Sequence, residues 1–170
     1  AVFSSGAVLT KEVGSDLYGA ALNRDIILYF SSRGGEVRKP DVCSPGASTS
    51  TVPNWTGWDR FWGTSMAAPY SAGVMSLLLS AASQDYPDVK IPSQLLYKAV
   101  RESATKMDGY SNLDQGHGYI NAVKAYEILK KYIDEGHTGI HLRMHENEIP
   151  LLIESLVQNG IGIFSVEHKQ

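Results

Sequence analysis

The sequence predicts an α/β fold in which helices cover a mostly parallel sheet, with a small βαβ module at the C-terminal end. Three observations support this prediction. β-Branched and aromatic runs within residues 1–30 are followed by long segments with apolar residues at helical spacing. Hydrophobic residues make up 43% of the 170 residues, which is enough for the core of one ordinary domain. Strand and helix signals then alternate again within residues 139–170.

The N-terminal part of the chain is predicted to hold two strands. Residues 1–9 form an apolar run that is typical of a short buried strand. Residues 26–30 read IILYF, and β-branched and aromatic side chains favour strand structure. We expect a polar, glycine-containing loop between the two strands. Residues 31–64 contain many Gly and Pro residues, so we expect turns to dominate there.

The longest predicted helix begins at Ser65. Pro69 must lie in or near the first turn of this helix, where a missing N–H costs little. Gly73 is a poor helix former, so we expect close backbone packing at that position. The apolar residues that recur at helical spacing are Ala68, Ala72, Met75, Leu78, Leu79 and Ala82.

Two further helices are predicted downstream. Ser93 can cap the first of them, and Gly136 is a natural stop for the second. A glycine-rich stretch at residues 115–120 separates the two helices. Apolar residues at helical spacing are Leu95, Leu96, Ala99 and Val100 in the first helix, and Ala122, Tyr126, Leu129 and Ile133 in the second.

The last part of the chain forms a separate unit in this prediction. Residues 140–144 alternate apolar and polar side chains, as in a strand with one buried face, and residues 161–166 form a final apolar strand. The chain has no GxxxxGK[ST] motif, so nucleotide hydrolysis is not supported. The expected organisation is a main domain at residues 1–133, a linker at 134–138, and a βαβ module of unknown role at 139–170.

Composition excludes several classes of function. The net charge of −3 gives no electrostatic case for binding nucleic acid or an anionic membrane surface. No run approaches the roughly 18–20 apolar residues of a membrane span. The single cysteine, Cys43, excludes a disulfide framework and a multi-cysteine zinc site, and we expect it to be buried and inert. We expect no cofactor and no metal. Secreted and cytoplasmic locations both fit the sequence.

The candidate catalytic residue is Ser65, within residues 63–69, which read GTSMAAP. Peptide-bond hydrolysis by a serine requires a hydroxyl on a sharp exposed turn, with free backbone N–H groups beside it. A helix N-terminus supplies such groups, because its first amides have no intrahelical partner and the helix dipole there favours negative charge. The same residues also fit a plain Ser or Thr N-cap followed by an apolar helix.

Four segments, in order, resemble motifs of the subtilisin-like serine proteases, the subtilases. The resemblance covers residues 1–133 and implies that the predicted sheet is part of a subtilisin-like fold. Residues 52–56 and 115–118 resemble the tripeptidyl-peptidase II branch of the family. Trp62 and Tyr70 depart from residues common at these places in the family. The four segments are residues 30–34 (FSSRG), 39–46 (KPDVCSPG), 63–69 (GTSMAAP) and 116–122 (GHGYINA).

The resemblance implies an Asp, His and Ser triad in that chain order, acting on a peptide or protein substrate through an acyl-enzyme. Ser65 would be the nucleophile and its N–H an oxyanion donor. The Thr64 hydroxyl would be a secondary stabiliser, and Gly63 would let the substrate backbone approach closely. The family's Asp and His motifs are absent, and no His precedes Ser65. We therefore expect the missing part of the catalytic domain, with the oxyanion Asn, upstream of Ala1, and predict that this chain alone is inactive.

Several alternatives stand beside this interpretation. His117 lies between two glycines in a segment that the family uses structurally, so we do not expect it to act as the base. His137, His141 and His145 are four residues apart and could bind zinc on a helix, but Gly139 and the apolar alternation favour a strand instead. The alternative function is a non-catalytic, protease-derived interaction or binding module. As an enzyme, the protein could be an endopeptidase or a tripeptide-releasing exopeptidase.

Overall fold

The structure is a computed structural model, and it describes residues 2–49 and 59–137. The chain divides into two compact units, Ala1–Gly139 and Ile140–Gln170. The second unit lies outside the described residues, so the βαβ module stays a prediction. The described elements are β1 (Ser5–Leu9), α1 (Lys11–Tyr18), β2 (Ile26–Ile27), β3 (Val42–Pro45), β4 (Ala47–Thr49), β5 (Arg60–Trp62), α2 (Thr64–Asp85), α3 (Ser93–Ser103), α4 (Asn112–Gln115) and α5 (Ala122–Asp134).

A three-stranded sheet in the order β2-β1-β3 forms the centre of the first unit. The longer pairing is parallel, between β1 and β3, and begins with Ser5 opposite Val42. The shorter pairing is antiparallel, between β1 and β2, and includes Val8 opposite Ile27. Strands β4 and β5 form a separate antiparallel pair. Together with the helices, this confirms the predicted α/β class.

Helix α2 packs against β1 and β3 through one narrow stripe of side chains. Ala68, Ala72 and Leu79, which share the predicted apolar spacing, are exposed on the other side of the helix. Gly73 is also exposed, and an added Cβ would meet nothing within 4 Å, so the predicted close packing there is wrong. Small and apolar residues surround the whole helix, so their spacing does not show which side faces the sheet. The buried stripe is Ala67, Ser71, Val74, Leu78 and Ala82.

The predicted loop after β1 contains α1, and this prediction was therefore wrong. The side chain of Thr10 caps the helix by accepting a hydrogen bond from the Val13 N–H at 3.2 Å. Gly19, in the left-handed region at φ +61°, ends it. The second predicted strand is shorter than expected, because only Ile26 and Ile27 pair with β1. Strands β3, β4 and β5 occupy part of the stretch at 31–64 that was expected to be mostly turns.

Helices α3 and α5 pack against each other and complete the main core. The four apolar residues predicted for α3 are all buried. Ser93 is its first helical residue and Pro92 its N-cap, one position earlier than predicted. In α5, Ala122 is exposed and Ala125 takes the buried position. The core consists of Val42, Val74, Leu78, Ala82, Leu95, Leu96, Ala99, Val100, Ile120, Ala125, Leu129 and Ile133.

Among the described residues, α2 is the one helix long and apolar enough to cross a membrane by length and composition. The expectation from the sequence was that no apolar run approaches the length of a membrane span, and α2 departs from it. The helix has 22 residues, and 28% of its most apolar window is buried. Its buried stripe packs on the sheet, as in the core helix of a globular domain. Such core helices also meet the criteria of length and apolar composition.

Candidate active site

The turn that carries Ser65 is anchored to the sheet on its N-terminal side. Trp62, the last residue of β5, pairs with Ala47 at the start of β4. The next residue, Gly63, donates its N–H to the carbonyl of Gly46 at 2.7 Å. Helix α2 therefore starts at a defined place, directly beyond the C-terminal end of β3.

The first turn of α2 presents Ser65 together with unpartnered backbone donors. Gly63 is the N-cap, and its carbonyl accepts from the N–H of Met66 at 3.0 Å. The N–H groups of Thr64 and Ser65 have no acceptor among the described residues. Ser65 is exposed. The positive end of the helix dipole adds to these donors, so an anion that forms beside Ser65 would be stabilised.

Gly63 leaves space beside the nucleophile. Its backbone is extended, with φ 161° and ψ 164°, a conformation open to any residue. A Cβ built on Gly63 would lie 3.6 Å from the Ser65 nitrogen and 4.0 Å from the Ser65 Cβ, both ordinary contact distances. The glycine is therefore not required by the fold. Because Gly63 has no side chain, the space beside Ser65 stays open.

Three serine hydroxyls join α2 to the sheet at Ser71, six residues after Ser65. Ser5 of β1 donates to Ser71 Oγ at 2.8 Å, and the Oγ atoms of Ser44 and Ser71 are 2.6 Å apart. Ser44 and Ser71 are buried. The sequence does not reveal this group, because its three members come from three separate elements. These hydrogen bonds fix the position of α2 along β1 and β3.

The structure brings no base to Ser65 within the described residues. His117 donates its backbone N–H to the carbonyl of Asp41 at 2.9 Å, at the other end of β3 from Gly46. Gly46 lies five residue steps of extended chain beyond Asp41, which corresponds to about 16 Å. A general base must lie within about 3 Å of the hydroxyl that it deprotonates, so His117 is too far away.

The end of β3 that holds His117 is organised around Asp41. The Asp41 carboxylate is 5% exposed and accepts from Lys39 Nζ at 2.5 Å and from Arg101 at 3.3 Å. The Ser4 N–H also donates to it, at 2.8 Å. Burial alone would raise the pKa of Asp41, but donation from Lys39 and Ser4 outweighs burial and lowers it. Partial desolvation of the exposed His117 side chain, followed by the charges of Arg101 and Lys106, lowers the pKa of His117.

Within residues 2–49 and 59–137, no group of three His, Cys, Asp or Glu side chains could hold a metal. His137 is exposed and lies 3.3 Å from Glu135, while His141 and His145 lie outside the described residues. Cys43 is buried in β3. Burial, with a smaller contribution from the charge of Asp114, raises the pKa of its thiol to about 12.

One feature beside the site was not found from the sequence. Tyr18, the last residue of α1, stacks on Trp62, with ring centroids 5.4 Å apart and planes 21° apart. Both aromatic residues are visible in the sequence, but they are far apart in the chain, and no spacing rule predicts a contact between them. Two surface depressions, of about 330 Å³ and 460 Å³, are lined by residues 33–39 and 11–22, and neither includes Ser65.

Comparison with known proteins agrees with the sequence motifs. The family model described as the subtilase family matches residues 18–119. The chain is 40% identical to Pyrolysin of Pyrococcus furiosus over 143 residues, which cover 74% of this chain and 10% of that protein. It is 36% identical to Tripeptidyl-peptidase 2 of Drosophila melanogaster over 93 residues, or 54% of this chain and 6% of that one. The chain thus spans a tenth or less of these relatives.

One solved protease structure is similar in fold to this chain. The Prenylagaramide maturation protease PagA superposes with a TM-score of 0.58 and 28% sequence identity. The match covers 75% of this chain and 42% of that one. Most of the present chain therefore corresponds to less than half of a solved protease.

Proposed function

The chain belongs to the subtilase family of serine peptidases, and from that premise we propose that Ser65 is the nucleophile that forms the acyl-enzyme during peptide-bond hydrolysis. The observation that carries the proposal is the exposed Ser65 in the first turn of α2, beside backbone N–H groups with no acceptor among the described residues. Such donors stabilise the oxyanion that develops when a hydroxyl attacks a carbonyl.

Each residue of the turn has a role in this proposal. The Ser65 Oγ attacks the carbonyl carbon of the scissile bond, and the leaving amine departs with a proton. The Ser65 N–H donates to the oxyanion, and the Thr64 hydroxyl adds a secondary contact. Gly63 lets the substrate backbone pass close to the hydroxyl, since no side chain fills that space. Water then hydrolyses the ester and frees the serine.

We propose that the base comes from polypeptide outside residues 1–170. Ser65 has no titratable partner among the described residues, and an unassisted serine is a weak nucleophile near neutral pH. Loss of one member of such a triad lowers kcat by roughly 10⁴ to 10⁶. We therefore propose that residues 1–170 alone have no significant peptidase activity, and that the missing part of the catalytic domain restores it.

The outer side of α2 supports the need for further polypeptide. Leu77 is 69% exposed, Tyr70 48% and Leu79 43%, although all three belong to the central helix of the unit. Tyr70 and Leu77, seven residues apart, share one side of the helix, whereas Leu79 lies on another; exposed apolar side chains of this kind fit a contact surface in water. Covering it with the missing part of the domain would bury α2 on both sides.

Labelling with a fluorophosphonate probe tests this proposal. We expect the longest natural form of the protein to be labelled at Ser65, and its Ser65→Ala variant to remain unlabelled. The isolated 170-residue chain should react at least about a thousandfold more slowly, since it lacks a base. Fast labelling of the isolated chain would contradict its predicted inactivity. Absence of Ser65 labelling in the long form would favour the non-catalytic binding module.

The mode of cleavage is a separate question, because the relatives include a tripeptidyl-peptidase. Mass spectrometry of the products from a blocked and an unblocked peptide of equal sequence distinguishes the two modes. Release of tripeptides from the unblocked peptide alone indicates an exopeptidase. Internal cleavage of both peptides indicates an endopeptidase.

A further inference from the structure

An exposed aromatic surface lies directly before the nucleophile turn. Trp62 precedes Ser65 by three residues and is 55% exposed. Its indole stacks on the ring of Tyr18, with centroids 5.4 Å apart and planes 21° apart. Tyr18 in turn packs against the apolar cluster that contains Ala67, two residues after Ser65. The two rings thus lie against each other, and both are connected to the segment around Ser65, Trp62 through the chain and Tyr18 through the cluster that contains Ala67.

Both rings are held in place by their backbones. Tyr18 ends α1, where the N–H of Gly19 donates to the carbonyl of Ser15 at 3.0 Å and closes the last turn. Trp62 is fixed through its pairing with Ala47 in the β4–β5 sheet. A ring surface that is already ordered loses little conformational entropy when a ligand covers it.

We propose that Tyr18 and Trp62 form an aromatic wall that binds an apolar, preferably aromatic, side chain of the peptide substrate near the scissile bond. Three residues of chain span at most about 11 Å, so the Cα atoms of Trp62 and Ser65 lie within that distance of each other. An extended substrate covers the same distance in about three residues. The bound side chain therefore lies a few residues from the scissile bond. This inference rests on the proposed peptidase function.

The wall acts through its rings rather than through hydrogen bonds. The Tyr18 hydroxyl is buried and has no partner among the described residues, so it is not presented to a ligand. Stacking and burial of a phenyl ring against Trp62 should strengthen binding about tenfold over a methyl side chain. Val123→Ala, at an exposed apolar residue of α5 outside the wall, is the matched control.

The test measures binding without relying on catalysis. The long form of the protein carries Ser65→Ala, and calorimetry gives its affinity for end-blocked alanine hexapeptides in which one Phe occupies each position in turn. We expect Phe to improve the affinity about tenfold at one or two positions. That gain should disappear when Trp62→Ala is added, and it should persist with Val123→Ala. Trp62→Leu, which keeps apolar bulk against Tyr18 but no flat ring, should also lose the gain.

Circular dichroism and thermal unfolding show which variants fold, and Trp62→Leu replaces Trp62→Ala if the latter does not. Equal Phe preference with and without Trp62 would overturn the aromatic wall. A uniform loss of affinity for all hexapeptides, Phe-containing or not, would also overturn it, because a general disturbance of the turn has that signature. Failure of the peptidase proposal is separately visible, as absence of hydrolysis by the protein with Ser65 intact.

Discussion

A glycine-containing motif lies beside each end of strand β3, but the two glycines have opposite roles in the structure. At the end near Asp41, a Cβ on Gly116 would collide with the backbone carbonyls of Pro40 and Asp41, and its φ of +61° is strained for other residues. At the end near Gly46, a Cβ on Gly63 would meet nothing closer than 3.6 Å. The first glycine is required for the chain to pack, and the second keeps space open beside Ser65.

The polar groups at the two ends show the same contrast. Asp41 is buried and receives hydrogen bonds from Ser4, Lys39 and Arg101. Ser65 is exposed, and its N–H has no acceptor among the described residues. Satisfied polar groups contribute to folding, whereas donors left free are ready for a ligand. One end of β3 therefore contributes to stability, and the other provides access to the nucleophile.

The largest expected effect is that of an alanine substitution at Gly116, and the same substitution at Gly63 is its comparison. Gly116→Ala should destabilise the chain by about 3 kcal/mol or more, because it combines a positive φ with a backbone collision. Gly63→Ala should change the free energy of unfolding by less than about 1 kcal/mol. Urea unfolding followed by circular dichroism measures both. Similar losses at the two positions would remove the basis of the comparison.

Asp41→Asn is expected to cost about 2 to 3 kcal/mol at pH 7, since hydrogen bonds to a charged group are lost and Lys39 and Arg101 remain. The folded-state pKa of Asp41 lies below the ordinary value of 3.8, so the ionised carboxylate favours the fold. Its contribution is complete above about pH 4 and is lost as the pH falls through the folded-state pKa. Urea unfolding between pH 7 and 2.5 measures the difference in free energy of unfolding between the wild type and the Asp41→Asn variant. That difference should become smaller below pH 4.

The exposed Asp88→Asn variant is the control for the Asp41 experiment. It should match the wild type across the same pH range. A gap between wild type and Asp41→Asn that widens on acidification would contradict the assigned direction of the Asp41 pKa.

Ser71→Ala should have a smaller effect, about 1 to 2 kcal/mol, because it leaves the hydroxyls of Ser5 and Ser44 without their partner. Replacing all three serines by alanine removes the unpaired hydroxyls as well. The triple variant should therefore lose much less than the sum of the three single losses, as a thermal unfolding cycle can measure. Strict additivity would show that the three hydroxyls do not act together.

The smallest expected effect is the absence of a reaction at Cys43. The raised pKa of about 12 leaves fewer than about one thiol in a thousand ionised at pH 8. Iodoacetamide should not label the folded chain within hours, and labelling should appear in 6 M guanidinium. Mass spectrometry gives the labelled fraction. Labelling of the folded chain at the rate of a free thiol would show that the centre of β3 opens readily.

Local patterns account for the parts of the fold that the sequence predicted. The long apolar run after Ser65 became α2, and the four apolar positions of α3 are buried as expected. Helix α1 was missed, although Thr10 and Gly19 at its ends are capping residues, because it has only eight residues and includes Gly14, a poor helix former. The buried side of α2 was assigned partly to the wrong residues, since a helix apolar all round does not indicate which side meets a sheet.

The sequence by itself determined the family, the α/β class and the candidate nucleophile, because ordered motifs and hydrophobic spacing are properties of contiguous residues. Tertiary structure alone decided which groups meet across the chain. It joined Ser5, Ser44 and Ser71, brought Tyr18 against Trp62, and placed His117 at the far end of β3 from Ser65. Contacts of this kind depend on how strands and helices pack, and no spacing rule within one segment encodes them.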